Sequence, residues 1–271
     1  MSSSSCLNCG KLQEPGFTFC PGCGQKASTH RLSFHDLSHD AIHYFTHADK
    51  GIFMLLKELM SKPGIVAREY VEGRRTHYFK PLNFFLLVAA VLVLATGFLY
   101  TEGNSRSRAF ENRAGTAVKP HEKAAFEKAS DRVRNVNKIT GKYSNVINML
   151  ATPFITFLFW LFYRKGRYNY IEHLVANMYF VAFTMLVYSL VVAPLAYLVV
   201  NPRLDYLILG LFFLFEILYR GFAYYHFMAK PGKGQLARAI AISTVNTLIW
   251  IMLTFTLIST YIRTGFYGLM E

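Results

Sequence analysis

Pro63-Gly64-Ile65-Val66-Ala67-Arg68-Glu69-Tyr70-Val71-Glu72-Gly73-Arg74-Arg75-Thr76-His77-Tyr78-Phe79-Lys80-Pro81 divides the chain into two unlike parts. Upstream lies a polar region that carries every cysteine, and directly downstream the first long apolar run begins. The dividing stretch is itself basic and aromatic. Cations and rings side by side suit the bilayer interface, where rings sit at head-group depth and cations reach phosphates. Arg68, Arg74, Arg75, Tyr78 and Lys80 are therefore read as lipid-interface residues. Just before the stretch, residues 51–60 read as a helix with Ile52, Phe53, Leu55, Leu56 and Leu59 on its apolar side. Pro63-Gly64 breaks it, and a short helix over 65–71 ends near Gly73. Short helices of this kind suit the membrane surface.

Downstream, the composition decides the class. Apolar residues make up 53% of the 271 and charged residues only 17%, and mostly apolar runs of spanning length recur. Five spans are expected, at 84–100, 146–163, 174–200, 206–227 and 239–262. All should be helical, because backbone groups in lipid must be satisfied internally. The expected fold is an all-α polytopic membrane protein with a small N-terminal zinc ribbon. The net charge of +13 concentrates beside apolar segments, where it sets topology and meets anionic head groups, so nucleic acid is not needed to explain it.

Residues 1–5 carry no basic start and no apolar core follows them, so no secretory signal is read and the N-terminus is expected in the cytosol. The basic segments Arg164-Lys165-Gly166-Arg167 and 230–238 then fall on the same side, as the positive-inside rule asks. Residues 102–142 resist it: ten Lys or Arg and five Asp or Glu land outside, with 121–142 able to form a charged helix. Long loops follow the rule loosely.

The four cysteines form two knuckles, Cys6-x-x-Cys9 and Cys20-x-x-Cys23, each followed by glycine. Ten residues between them allow a short hairpin. Four thiolates close a tetrahedral site suited to Zn2+, one per chain, and leave no open position for catalysis. So short a segment lacks a core, and zinc would supply its folding energy. A redox dithiol pair or an iron–sulfur cluster are the alternatives. Phe17 and Phe19 are expected to pack the hairpin.

Ser33 to Phe45 reads as an amphipathic helix, and His35, His39, His43 and His47 recur every four residues, on one helix face. His43, His47 and Asp49 are the candidates for a second metal or pH-sensing site. No third ligand is fixed by spacing, and a polar face rich in histidine is the preferred reading. Within the spans, Glu216 and Arg220 stand four apart in the order that favours an ion pair. Glu172 and His173 stand at the mouth of the third span, with Asn177 and Tyr179 further along and Asn246 in the fifth. A cluster of these would line a substrate or ion path; packing and snorkelling are the preferred account. No known catalytic constellation is present.

The order of features resembles a family of bacterial membrane proteins of unknown function, of the type common in Bacteroidetes. The residues that carry the resemblance are Cys6, Cys9 and Cys20 with Cys23-Gly24-Gln25, then Thr46-His47-x-Asp49-x-Gly51. The longest is Pro63-Gly64-x-x-x-Arg68-Glu69-Tyr70-x-x-Gly73-x-Arg75-x-x-Tyr78-x-x-Pro81, and Tyr170-x-Glu172-His173 adds to it. The resemblance implies a membrane protein with a zinc-ribbon start and no known activity. The expected organisation is a zinc ribbon over 1–29, cytosolic juxtamembrane helices over 30–81 and a helical membrane domain over 82–271, in the bacterial inner membrane. The leading functional expectation is a non-enzymatic adaptor that meets membrane lipids and, through its ribbon, a cytosolic protein. A transporter using Glu172, His173, Glu216 and Arg220, and a lipid-modifying enzyme with a histidine site, are the alternatives.

Overall fold

The computed structural model describes residues 4–13, 16–27, 31–33, 51–99, 120–199, 202–229, 232 and 234–265. The helix expected over 33–45, with His35, His39, His43 and His47, lies outside the described residues beyond Ser33, as does Asp49. Two short strands, β1 (Ser4–Ser5) and β2 (Leu12–Gln13), pair antiparallel. The remaining elements are helices: α1 (Gly51–Ser61), α2 (Pro63–Val71), α3 (Pro81–Leu99), α4 (Pro120–Lys142), α5 (Ser144–Tyr163), α6 (Tyr170–Val187), α7 (Ala193–Leu198), α8 (Pro202–Met228) and α9 (Gln235–Thr264). A π turn, Tyr188–Val192, joins α6 to α7. There the Ala193 N–H reaches back to the Tyr188 carbonyl. This wider turn precedes Pro194, whose ring cannot donate and would crowd an α-turn.

Among the described residues, four stretches are long and apolar enough to cross a membrane: Val146–Tyr163, Tyr170–Leu198, Tyr206–Met228 and Gln235–Thr264. They contain the segments expected as spans two, four and five, and all of the third expected span except residues 199–200. The expectation of five is not met in full. The first expected span lies in α3, whose apolar part among the described residues, Pro81–Ala95, is shorter. At 1.5 Å per residue it covers roughly 22 Å of a hydrocarbon core about 30 Å thick.

The centre of the bundle is α6. Every residue from Glu172 to Met185 is buried, with α3 and α5 packed against it, while α8 packs on α9 and α2. The short helix α2 is not a surface helix. Pro63, Gly64, Val66, Ala67, Tyr70 and Val71 are buried, because α2 lies between α8 and α6. A side chain at Gly64 would collide with the Ala223 carbonyl oxygen and stand 2.6 Å from the Phe227 amide nitrogen, so glycine permits this close approach. Hydroxyls pin the same region. Tyr179 donates to the Phe79 carbonyl at 2.7 Å and Tyr219 to the Leu59 carbonyl at 3.1 Å.

The charged helix α4 meets the far end of α9. Arg132 donates to the carbonyls of Ile262 (3.3 Å) and Arg263 (3.2 Å), where a cation complements the negative end of the helix dipole. The ribbon, the dividing stretch and the α5–α6 turn gather at the opposite end, called the ribbon end below.

Candidate metal centre and its contacts with the helices

The two knuckles are built alike. In the first, Cys6 N–H donates to the Lys11 carbonyl and Gly10 N–H to the Cys6 carbonyl; in the second, Cys20 N–H donates to the Gln25 carbonyl and Gly24 N–H to the Cys20 carbonyl. Gly10 (φ +76°) and Gly24 (φ +71°) lie in the left-handed region, which a Cβ disfavours. The β1–β2 pair brackets the first knuckle, and a single bridge between Phe19 and Lys26 brackets the second.

The four sulfurs lie within 4.8 Å of one another, with Cys6 and Cys23 3.7 Å apart and Cys9 and Cys20 3.6 Å apart. A disulfide requires about 2.05 Å. A tetrahedral thiolate site with metal–sulfur bonds of about 2.3 Å places its sulfurs about 3.8 Å apart. The cysteines are thus close enough to bind one metal ion. The Gly22 N–H donates to the Cys20 sulfur at 3.4 Å and is the foremost cause that brings this thiol down to about 6. That N–H favours the thiolate of Cys20, the form that ligates metals. Phe17 and Phe19, expected inside the hairpin, are about half exposed. Strands this short have no second layer to cover a ring.

Gln25 fastens the cluster to the helices. Its buried amide donates to the Gly73 carbonyl at 2.7 Å and accepts from the N–H groups of Arg75 (3.1 Å) and Thr76 (3.3 Å) and from the Thr76 hydroxyl (3.3 Å). Arg31 makes a second attachment, donating to both oxygens of Glu172 at 3.0 and 2.9 Å and to the Arg167 carbonyl at 2.5 Å. Gln25→Ala is expected to undock the ribbon. It strands three backbone groups, and leaving one such group unmade costs about 1–3 kcal/mol where it stays buried. Limited proteolysis should then cut between residues 27 and 51 several-fold faster while the chain keeps its bound metal. Unchanged cleavage would rule out Gln25 as the fastening.

The interface candidates in the dividing stretch are largely occupied by protein partners. Arg68 donates to the His226 carbonyl at 3.2 Å, Arg74 pairs with Glu69 at 2.7 Å, and the buried Tyr78 donates to the same Glu69 at 2.7 Å. Burial first, then the Glu69 acceptor, raises the Tyr78 phenol above its ordinary range. Glu72 likewise pairs with Arg167 at 2.7 Å and accepts from Tyr168 at 2.9 Å. Arg75 contributes its backbone to Gln25, and Lys80 closes the turn into α3 by accepting from the Phe84 N–H at 2.9 Å through its carbonyl.

The polar residues of the spans fall into separate groups. Glu172 is the third residue of α6 and completes a capping box: Asn169 accepts from Glu172 N–H (2.9 Å), and Glu172 accepts from Asn169 N–H (2.6 Å). With Arg31 added, both oxygens of this buried carboxylate are committed. His173 points elsewhere. Its Nδ1 lies 3.4 Å from the Tyr224 hydroxyl, to which Asn177 also donates at 2.6 Å. Rings of Tyr163, Tyr168, Tyr224 and Phe227 surround it, and its Nε2 is buried without a partner among the described residues. Glu216 and Arg220 pair with each other one turn apart in α8. Asn246 ties α9 to α5 by donating to the Ile155 carbonyl at 3.1 Å.

Residues 49–93 match a family described as "Protein of unknown function (DUF3667)". The match takes in α1, α2, the dividing stretch and most of α3, and so contains the Pro63–Pro81 motif on which the resemblance rests. No curated protein and no solved structure matches the chain.

Sequence reasoning missed Gln25 and Arg31 as attachment residues and Tyr224 as the partner of His173. The capping box left a signal, since Asn169 three residues before Glu172 is a helix-start pattern. It places the start of α6 at Tyr170, not Leu174.

Proposed function

We propose that this chain is an integral membrane protein that works as a non-enzymatic adaptor. A structural zinc ion closes its N-terminal ribbon, and the ribbon presents a surface to a cytosolic protein. The observation that carries this reading is the ribbon itself: four sulfurs spaced for a tetrahedral ion, held against the helices by one face, with Leu7, Leu12, Phe17 and Phe19 exposed. Four sulfurs exhaust the coordination of zinc and leave no place for substrate. Large apolar side chains exposed on so small a body are the material of a contact surface.

The cytosolic placement rests on charge. Arg164, Lys165 and Arg167 follow the last turn of α5 and Arg238 stands in the first turn of α9, at the ribbon end of the spanning helices, which suits the positive-inside rule. A transporter would need Glu172 and Glu216 available to a substrate. Glu172 instead serves Arg31 and the start of α6, and Glu216 serves Arg220, which supports the adaptor reading. The histidine site of a lipid enzyme lies outside the described residues.

Site-specific photo-crosslinkers at Leu12 and Phe19, in cells, test the proposal. A discrete protein adduct that vanishes when the metal site is removed is expected. Adducts to lipid alone, or none, would reject the adaptor role.

A further inference from the structure

At the ribbon end a small pocket of about 50 Å³ opens between the last turn of α5, the turn that follows it, the last turn of α8 and the first turn of α9. A water requires about 10–15 Å³ of such space, so the pocket holds roughly three to five water-sized groups. That is the scale of a phosphate and its oxygens. Lys165 and Arg238 line it with Gln235, and no acidic residue does. Among the described residues neither cation has an ion-pair partner, and the Arg238 guanidinium rests 5.9 Å from the centre of the Tyr163 ring.

The charge at this place is out of balance in a specific way. α9 runs thirty residues, with no acid in its first turn and no side-chain cap at Gly234. Its positive dipole end therefore faces the region unanswered. A cation in the first turn of a helix is disfavoured by that dipole, yet Arg238 occupies it, and Lys165 adds a second positive charge to the same pocket. Neighbouring Arg167 is, by contrast, neutralised by Glu72. Among the described residues no acidic side chain answers these three positive sources, and an external anion would.

The position says which anion. Tyr163 closes one spanning stretch, Met228 closes another and Gln235 opens a third, so the pocket lies at head-group depth. Phe162 and Met228 form apolar walls beside the cations, and Leu161, Phe222 and Leu236, on the same three helices, are exposed. We propose that this pocket binds the phosphate of an anionic phospholipid, with Lys165 and Arg238 on the phosphate oxygens and the acyl chains along the exposed apolar side chains. The inference rests on the membrane placement above and is independent of the adaptor role.

The test is native mass spectrometry of the full chain, delipidated in detergent and titrated with phosphatidylglycerol or phosphatidylcholine, with membrane fractionation of each variant recorded beforehand. A charge-assisted hydrogen bond to a phosphate oxygen is worth roughly tenfold in affinity. Arg238→Ala and Lys165→Ala should each weaken phosphatidylglycerol retention about that much and the pair together still more, with little effect on phosphatidylcholine. Arg238→Lys should retain most binding. Arg164→Ala, which removes an equal charge on the same turn outside the lining, should change little. Equal losses in Arg164→Ala would mean diffuse surface attraction and overturn the pocket. Complete displacement of lipid by millimolar inorganic phosphate would assign the pocket to a soluble anion and overturn the lipid. Failure of the wild type to fractionate with membranes would defeat the membrane reading itself.

Discussion

Cys20→Ser is expected to strip the bound ion from the chain and unfold residues 4–27, while the helical part stays intact. The ribbon has two strands of two residues each and one further bridge. The cysteines converge at its centre, and among the described residues no apolar core joins the two knuckles. Structural zinc sites contribute about 10–16 kcal/mol of apparent folding energy in small domains, which equals or exceeds the whole stability of a typical protein. Removing one of four sulfurs also removes the thiolate that the Gly22 N–H stabilises. Metal analysis of purified protein should fall from one ion per chain to none, with the far-ultraviolet dichroism nearly unchanged. Retention of a full equivalent would refute a four-sulfur site. The same assay on His43→Ala/His47→Ala decides the histidine stripe: an unchanged content leaves it a polar face, and the loss of a second ion would make it a site.

The second large effect is expected at Gly64. Alanine there drives its methyl group into the Ala223 carbonyl oxygen, with the Phe227 nitrogen at 2.6 Å and the His226 Cβ at 2.7 Å. These are backbone atoms or the root of a side chain, and none can swing away. The two helices must separate, and α2 then gives up the burial of Val66, Ala67 and Tyr70, with the edge-on contact between Tyr70 and Tyr179 at 5.7 Å. Overpacking in a core costs about 1–3 kcal/mol when neighbours can adjust; here the loss should exceed that range. Thermal unfolding in detergent should shift down by many degrees. Gly210, in α8 with nothing within 4 Å of an added methyl, is the control, and its alanine variant should be neutral or slightly stabilising. Equal melting of the two variants would refute the close approach of α2 to α8.

Elements that depend on local pattern were legible in the sequence. The spanning helices announce themselves by length and apolarity, and the knuckles by spacing and glycine. What depended on distant partners was not. Gln25 reaches a turn about fifty residues away, Arg31 pairs with Glu172 across 141 positions, and Tyr224 meets Asn177 across 47; no periodicity encodes such pairs. Glu172 looked like a polar residue at the mouth of a span because its chemistry is the same whether it meets a substrate or an arginine. The dividing stretch shows the same limit. Arg68, Arg74 and Tyr78 have the composition of a membrane surface, but Glu69 and the His226 carbonyl on α8 satisfy much of the same chemistry internally.

Gln25 addresses the main chain. Three of its four hydrogen bonds end on backbone atoms, and Gly73, with φ +117°, shapes the loop it grips. Attachment of this kind specifies a shape and leaves most surrounding side chains open to drift. The ribbon is then an exchangeable module: a graft from a relative should seat correctly wherever glutamine follows the second knuckle and glycine holds the loop, even if the outward surface has changed.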